Sequence, residues 1–209
     1  MIKLISVLKK VPIDFNQREM GEHSKAKQIV FKLLQDIPQK AKVLDLGCRD
    51  GVWTKKLISM GYDVVAADIN PEYQTAIKMD ADEPFLFEDE SFDLVWTMEV
   101  LEHLRKPQEA VLEMRRVLAN GGRIILTTPN SYFWLFHPLI FFGKFFGRKM
   151  ADFQNPDHKQ FFSYGDIRKI FPNAEIYGFF PYFGPLRFTV IKPWLVSFFS
   201  PVFVVYDKK

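Results

Sequence analysis

Along the first two thirds of the chain, short apolar runs alternate with stretches of helical period, and glycine-bearing or acidic turns separate them. Residues 22–37 set Ile29, Val30, Leu33, Leu34 and Ile37 on one stripe of a helix that Pro38 stops. Such a helix packs on a sheet or covers a ligand mouth. Val43, Leu44 and Leu46 then read as a central parallel strand, Gly47 and Gly51 give the following turn backbone freedom, and residues 52–60 read as helix. Residues 62–68 form a second buried strand, 77–79 a short third and 92–98 a fourth. After Pro107, Ala110, Val111, Met114, Val117 and Leu118 recur at helical spacing, with Asn120-Gly121-Gly122 closing that helix before a fifth strand over 123–128. Strands and helices alternating over short connections predict a parallel α/β sheet.

Towards the C-terminus, Ser163 and Asp166 have the spacing of a capping box for a short helix that ends by Pro172. Residues 174–180 make a sixth strand and 202–208 a closing seventh. Between these elements lie two aromatic insertions. The first, after Asn130, carries Phe133, Trp134, Phe136, Phe141, Phe142, Phe145 and Phe146, with Lys144, Arg148 and Lys149 near its end. The second, over 185–201, carries Phe188, Trp194, Leu195, Phe198 and Phe199. Pro138 and the preceding strand make the first a poor membrane span, so it reads as an interfacial or lid helix or as an inserted helix pair with its own core.

The turn Lys42-Val-Leu-Asp-Leu-Gly-Cys-Arg-Asp-Gly51 carries the first chemical signal. A dinucleotide site needs G-x-G-x-x-G so that the backbone can approach a pyrophosphate, and here Arg49 and Val52 occupy the second and third glycine positions. Asp45 would repel pyrophosphate but can hold a cationic ligand directly or through water, and S-adenosylmethionine carries a sulfonium and an ammonium. An ordinary β-turn-α of some other α/β protein fits the same turn. Asp68 stands 21 residues after Gly47, at the end of the second strand, where a carboxylate accepts bonds from ribose hydroxyls or serves as a turn residue before Asn70-Pro71. Asp80-Ala81 follows the third strand, where an adenine edge is expected. Glu99-Val-Leu-Glu-His103 follows the fourth, beside the same crevice.

Composition narrows the partners. At 209 residues the chain suits one domain, and 28 basic against 25 acidic residues leave no electrostatic footprint for nucleic acid. The single cysteine, Cys48, excludes an internal disulfide, fits a reducing compartment and reads as a small packed turn residue. The opening apolar run is broken by Lys3, Lys9 and Lys10 and does not read as a signal peptide, so the expected location is the cytoplasm. Most of the 22 phenylalanines follow Asn130, outside the motifs above, which points to a greasy acceptor or to contact at a membrane surface.

In order and spacing, residues 42–130 resemble the class I S-adenosylmethionine-dependent methyltransferases that act on small molecules and lipids. The matching pieces are residues 43–51, Asp68, Asp80-Ala81, Glu88-Asp89-Glu90 leading into residues 91–95, Val100-Leu-Glu-His-Leu104, and residues 116–130. The resemblance implies a Rossmann-like, seven-stranded, mostly parallel sheet with an antiparallel last strand. It also implies that Asp45, Gly47 and Gly51 shape a methionine pocket, Asp68 holds ribose, Asp80 and the Ala81 backbone meet adenine, and Glu99 lies near the cofactor. Arg49 departs from the usual glycine, so the turn has to tolerate a side chain. Residues 99–103 are also similar to a stretch of the ubiquinone-type polyprenyl O-methyltransferases whose glutamates and histidine are associated with a divalent metal; a turn whose polar groups face the cleft is the other reading, and no metal is expected.

The expectation is one methyltransferase domain over 1–209, divided into an N-terminal helical cap (1–40), a cofactor-binding core (41–130), an apolar lid (131–162) and a C-terminal part with the second insertion (163–209). It would transfer methyl from S-adenosylmethionine to a small or lipid-like acceptor, with His103 and His158 as candidate bases. The alternative is a non-catalytic protein that keeps the cofactor fold and docks on a membrane or partner. A dehydrogenase is disfavoured by the missing glycines.

Overall fold

The computed structural model describes residues 25–132, 157–179, 189–190 and 193–209. Helix α1 (Lys25–Leu34) leads into β1 (Lys42–Leu46), which is followed by α2 (Val52–Ser59), β2 (Asp63–Asp68), β3 (Ile77–Lys78) and β4 (Phe92–Met98). A single 3₁₀ turn (Leu101–His103) precedes α3 (Pro107–Val117), β5 (Leu118–Pro129), α4 (Tyr164–Ile170), β6 (Glu175–Phe179), β7 (Thr189–Val190), α5 (Pro193–Phe199) and β8 (Val202–Lys208). The sheet order is β3-β2-β1-β4-β5-β8-β6-β7. β1 to β5 pair in parallel, whereas β8 runs antiparallel between β5 and β6. The closing strand is therefore antiparallel as expected, and among the described residues β7 is a two-residue addition beside β6, outside the seven expected strands.

Each sheet face has its own core. On one face Ile29, Val30, Leu33 and Leu34 of α1 and Leu57 of α2 pack against Val43, Leu94, Trp96, Ile125 and Val204. On the other, Val111, Met114 and Val117 of α3, Ile167 of α4 and Val196 of α5 cover Leu44, Val95, Ile124, Leu126 and Phe203. The central strands carry apolar side chains toward both faces because helices cover both. Leu44 and Leu94 have no exposed surface, so truncating either to Ala would cost about 2–5 kcal/mol. The apolar stripe of the leading helix thus packs on the sheet, with Ile37 buried just beyond the helix end.

One local expectation needs correction. The third helix ends at Val117 rather than at Asn120-Gly121-Gly122, because Leu118 is extended, fully buried and already paired with Phe92. Burying that leucine in the sheet outweighs another helical turn, and Gly121, with φ of 78°, serves a bend inside β5 instead. The second aromatic insertion contains strand β7 and helix α5. The capping box is present as expected: Ser163 Oγ accepts from Asp166 N at 3.2 Å, and Ser163 N donates to the Asp166 carboxylate at 3.0 Å. Residues 133–150 of the first insertion, and 1–24 of the cap, lie outside the described residues. Among the described residues no helix is long and apolar enough to cross a membrane.

Candidate cofactor and active site

β1, β2 and β3 step outward in one direction and β4 returns to the other side of β1. The sheet reverses its order between β1 and β4, and in such sheets the ligand crevice opens at the carboxyl ends of those two strands. The turn after β1 emerges there. Gly47, Arg49 and Gly51 have φ of 81°, 47° and 75°. A Cβ on Gly47 would lie 2.2 Å from Val100 Cγ2, and one on Gly51 would lie 2.4 Å from the Tyr73 ring. Glycine is required at both positions by handedness and by close approach.

Arg49 shows how the turn accommodates a side chain. Its N–H donates to Asp68 Oδ2 at 2.9 Å, its carbonyl accepts from Glu72 N and Tyr73 N, and its guanidinium reaches outward to Glu72 at 3.3 Å. Asp68 takes a second backbone N–H, from Asn70, on Oδ1 at 2.8 Å. Both turn and ribose roles are therefore open to Asp68, since each oxygen keeps a lone pair after binding its backbone donor.

Asp45 is 2% exposed and accepts from Thr54 Oγ1 at 2.5 Å. Burial pushes its carboxyl up to about 6, against the opposing hydrogen bond from Thr54 and with added repulsion from Asp68. No ion pair to Asp45 occurs among the described residues. The Cys48 thiol is pushed up to about 12, chiefly by burial and then by Asp45 and Asp68, which suits a packed residue and not a nucleophile.

At the end of β3, Asp80 Oδ1 accepts from Asp82 N at 2.9 Å, and Ala81 is buried beside it. Asp82, which the sequence reading passed over, is buried and accepts from Arg105 N, Arg105 Nε and Lys106 N at 2.7, 3.0 and 2.9 Å. Burial alone would raise its carboxyl; the bonds from Lys106 and Arg105 together hold it below the usual range. Asp82 thereby ties the turn after β3 to the segment that follows β4. Nothing local in the sequence signals this, because its partners lie more than twenty positions away.

The segment after β4 forms the other wall. Glu99 adopts φ of 58°, and its N–H donates to Thr127 O at 3.0 Å. Glu102 is buried; its Oε2 accepts from Thr128 Oγ1 at 2.9 Å, and its Oε1 has no hydrogen-bond partner among the described residues. Burial, and then the Glu99 carboxylate, hold Glu102 well above the usual range. The Glu102 carbonyl accepts from both Lys159 N and Gln160 N, which clamps the 157–160 loop onto the 3₁₀ turn. That clamp brings the two candidate bases together. The rings of His103 and His158 meet edge to face with centroids 4.8 Å apart, and His103 Nδ1 lies 3.1 Å from Asp157 O. With Nδ1 donating to that carbonyl, Nε2 is the acceptor. Burial, then His103, push the His158 imidazole below its usual range, with Asp157 opposing.

The metal-capable cluster among the described residues is Glu102, His103 and His158, whose ligand atoms lie within 4.8 Å of one another. It contains His158 from the loop and omits Glu99. Besides Asp82, the sequence reading missed Thr54, Thr128, the buried Trp96 and the half-buried Trp53 that stacks on it. Only Thr54 carried a usable signal, as a hydroxyl in the first helical turn after Gly51.

The profile of the methyltransferase domain family matches residues 17–177. The ubiquinone biosynthesis O-methyltransferase of Cereibacter sphaeroides is 30% identical across 44% of this chain and 42% of its own. Its counterpart from Xanthomonas oryzae pv. oryzae is 30% identical across 43% of this chain and 44% of its own. The chain thus spans less than half the length of the curated relatives it matches. An S-adenosylmethionine dependent methyltransferase from Mesorhizobium loti has the same fold, with a TM-score of 0.64 at 14% identity over 90% of this chain and 100% of that one. One from Archaeoglobus fulgidus gives 0.60 at 17% identity over 89% and 95%. Because the family match runs from before the leading helix into the sixth strand, well over half of the chain, this protein belongs to the methyltransferase domain family.

Proposed function

We propose that the protein transfers a methyl group from S-adenosylmethionine to the hydroxyl of a small, lipid-like acceptor. The observation that carries the reading is Asp45, a buried carboxylate at the strand-order reversal whose described contacts include no cation. A buried carboxylate in that state favours a cationic ligand and opposes a pyrophosphate. The remaining residues fit the same molecule. Asp45 suits its cationic amino-acid end, Gly47 and Gly51 the bare wall, Asp68 the ribose, Asp80 with the Ala81 backbone the adenine, and Glu99 borders the pocket.

When bound, S-adenosylmethionine supplies an electrophilic methyl group. The protein has then to hold the acceptor oxygen in line at about 3–3.5 Å and to accept its proton. His158, kept neutral by burial and by His103, is suited to take that proton, and the Asp157 carbonyl orients the His103 ring beside it. Support for a lipid-like acceptor comes from the naming of the ubiquinone biosynthesis relatives and from the aromatic surplus after Asn130. Phe198 on α5 is 45% exposed and belongs to that surplus.

Incubation with methyl-labelled S-adenosylmethionine and a total lipid extract, followed by partition into organic solvent, tests the proposal. Label in an organic-soluble product, lost in His158→Ala, is the expected result. Label confined to water-soluble products would overturn the lipid acceptor. No labelled product from a protein that demonstrably binds the cofactor would instead support the non-catalytic docking role.

A further inference from the structure

The turn after β3, proposed to meet adenine, and the loop that carries His158 are joined by a network of charged side chains that neither cofactor contact nor proton transfer requires. Resting on the cofactor reading above, we infer that Arg105, seated on Asp82, is a positioning residue for His158. It passes occupancy of the adenine end of the pocket to the loop, so that the base is steadied when the cofactor is bound.

The path starts at Asp80. Its Oδ1 accepts from Asp82 N at 2.9 Å, which couples the direction of the Asp80 carboxylate to the backbone at Asp82. The Asp82 side chain is only 4% exposed, and it takes Arg105 N and Lys106 N on Oδ1 and Arg105 Nε on Oδ2. Arg105 Nη2 reaches back to Asp80 Oδ2 at 3.9 Å, so one guanidinium contacts both carboxylates. Two side chains of the loop attach to the same pair. Lys159 Nζ lies 3.9 Å from Asp82 Oδ2, and Gln160 Nε2 donates to Arg105 O at 3.4 Å. His158 directly precedes them in the chain.

The strengths of these contacts separate two roles. The bonds from Arg105 and Lys106 to Asp82 are short and charge-assisted, and they hold the turn whether or not a ligand is present. The backbone N–H groups of Lys159 and Gln160 already fix the loop to the Glu102 carbonyl. By contrast, Lys159 and Arg105 are exposed, and a pair at 3.9 Å from an exposed cation adds little to stability. These long contacts are laid over a loop that is attached without them, which suits them to register. An adenine amino group bonded to Asp80 would hold still a carboxylate that both Asp82 N and Arg105 contact. Ordering at one end of such a chain lowers the cost of ordering at the other.

The experiment is amide hydrogen exchange of the full chain without ligand and with saturating S-adenosylhomocysteine, calorimetry fixing the Kd of each protein. In the wild type the Lys159 and Gln160 amides should exchange about tenfold more slowly once ligand is bound. The double variant Lys159→Met, Gln160→Ala keeps both main-chain bonds to Glu102 and cuts the side-chain link, so its ligand-dependent slowing should fall below about twofold. Arg105→Ala, which keeps the main-chain bond to Asp82, should behave the same way, whereas Lys159→Arg, which keeps the cation, should retain the slowing. Full slowing in either the double variant or Arg105→Ala, or none in a ligand-bound wild type, would overturn the link and leave the cofactor reading intact. Failure of the wild type to bind S-adenosylhomocysteine would overturn both.

Discussion

On the proposed assignment, Asp45 links the pH at which the protein is stable to the pH at which it binds S-adenosylmethionine, with opposite signs. Its carboxyl rises from an ordinary 3.8 to about 6 in the fold, a shift of about two units, or about 3 kcal/mol at 1.36 kcal/mol per unit. Because the folded-state value is the higher one, the native protein holds this proton more tightly than the unfolded chain. The associated stability is fully present below about 3.8 and is lost as pH rises to about 6, so at neutral pH the ionised Asp45 destabilises the ligand-free protein by that amount. Cofactor binding runs the other way, since the cation prefers the ionised form. If only that form binds, the apparent Kd for S-adenosylmethionine should be about tenfold weaker at pH 5 than at pH 7 and level above pH 7.

Calorimetry at half-unit steps across that range measures the effect, and two variants assign it. Asp45→Asn should bind weakly with no pH dependence, and its ligand-free form should melt higher than wild type at pH 7. Thr54→Val removes the hydrogen bond that favours ionisation, so the midpoint of the binding profile should move upward. A wild-type Kd that stays constant from pH 5 to 7, or an Asp45→Asn protein that retains the wild-type profile, would refute the assignment of a cationic ligand to this carboxylate.

Three further outcomes follow from the geometry. Arg49→Gly relieves a left-handed non-glycine residue, about 1–2 kcal/mol, against about 0.5–1 kcal/mol of added unfolded-state entropy; denaturant unfolding should show a slight gain, and the cofactor Kd should stay within about twofold because the side chain points to Glu72. Asp82→Ala strands three donors at a buried position and should cost about 3 kcal/mol, seen as a fall in Tm of about 6–12 °C at pH 7 that shrinks in acid as the wild-type carboxylate is itself protonated. Excess chelator should leave methyl transfer unchanged, since proton acceptance by His158 needs no ion; loss of activity restored by a divalent ion would instead assign Glu102, His103 and His158, whose ligand atoms lie within 4.8 Å of one another, to a metal.

The turns that carry the proposed cofactor residues could be read from the chain because they lie where strands end, and both strands and turns follow from local pattern. Gly47, Gly51 and Asp68 are fixed by the alternation of apolar runs with short turns, and the structure gathers them at one edge through the parallel pairing of β1 with β2 and β4. What could not be read depends on contacts distant in sequence. Asp82 finds its partners at Arg105 and Lys106, Thr128 finds Glu102, and Trp53 meets Trp96 only once α2 has packed across the sheet. The misplaced end of α3 has the same origin, since the Phe92 pairing that extends Leu118 is invisible to a glycine rule.

The side of the cleft that carries the two histidines is held differently. His158 comes from a loop that no sequence motif anchors, but the Glu102 carbonyl binds Lys159 and Gln160, and Ser131 N donates to Phe162 O. Backbone bonds thus fix the loop to the segment after β4 and to the end of β5, independently of the side chains at 159 and 160. The same segment touches the cofactor turn where Val100 lies over Gly47, in the space a Cβ would fill. The His103–His158 pair, the turn at Glu99 and the glycine turn are consequently one packed unit at the ends of two adjacent strands. On the proposed assignment, substitutions in the loop at 157–162 should therefore alter which acceptor is chosen more than how the cofactor is held, because the loop carries His158 and the glycine turn lies after β1.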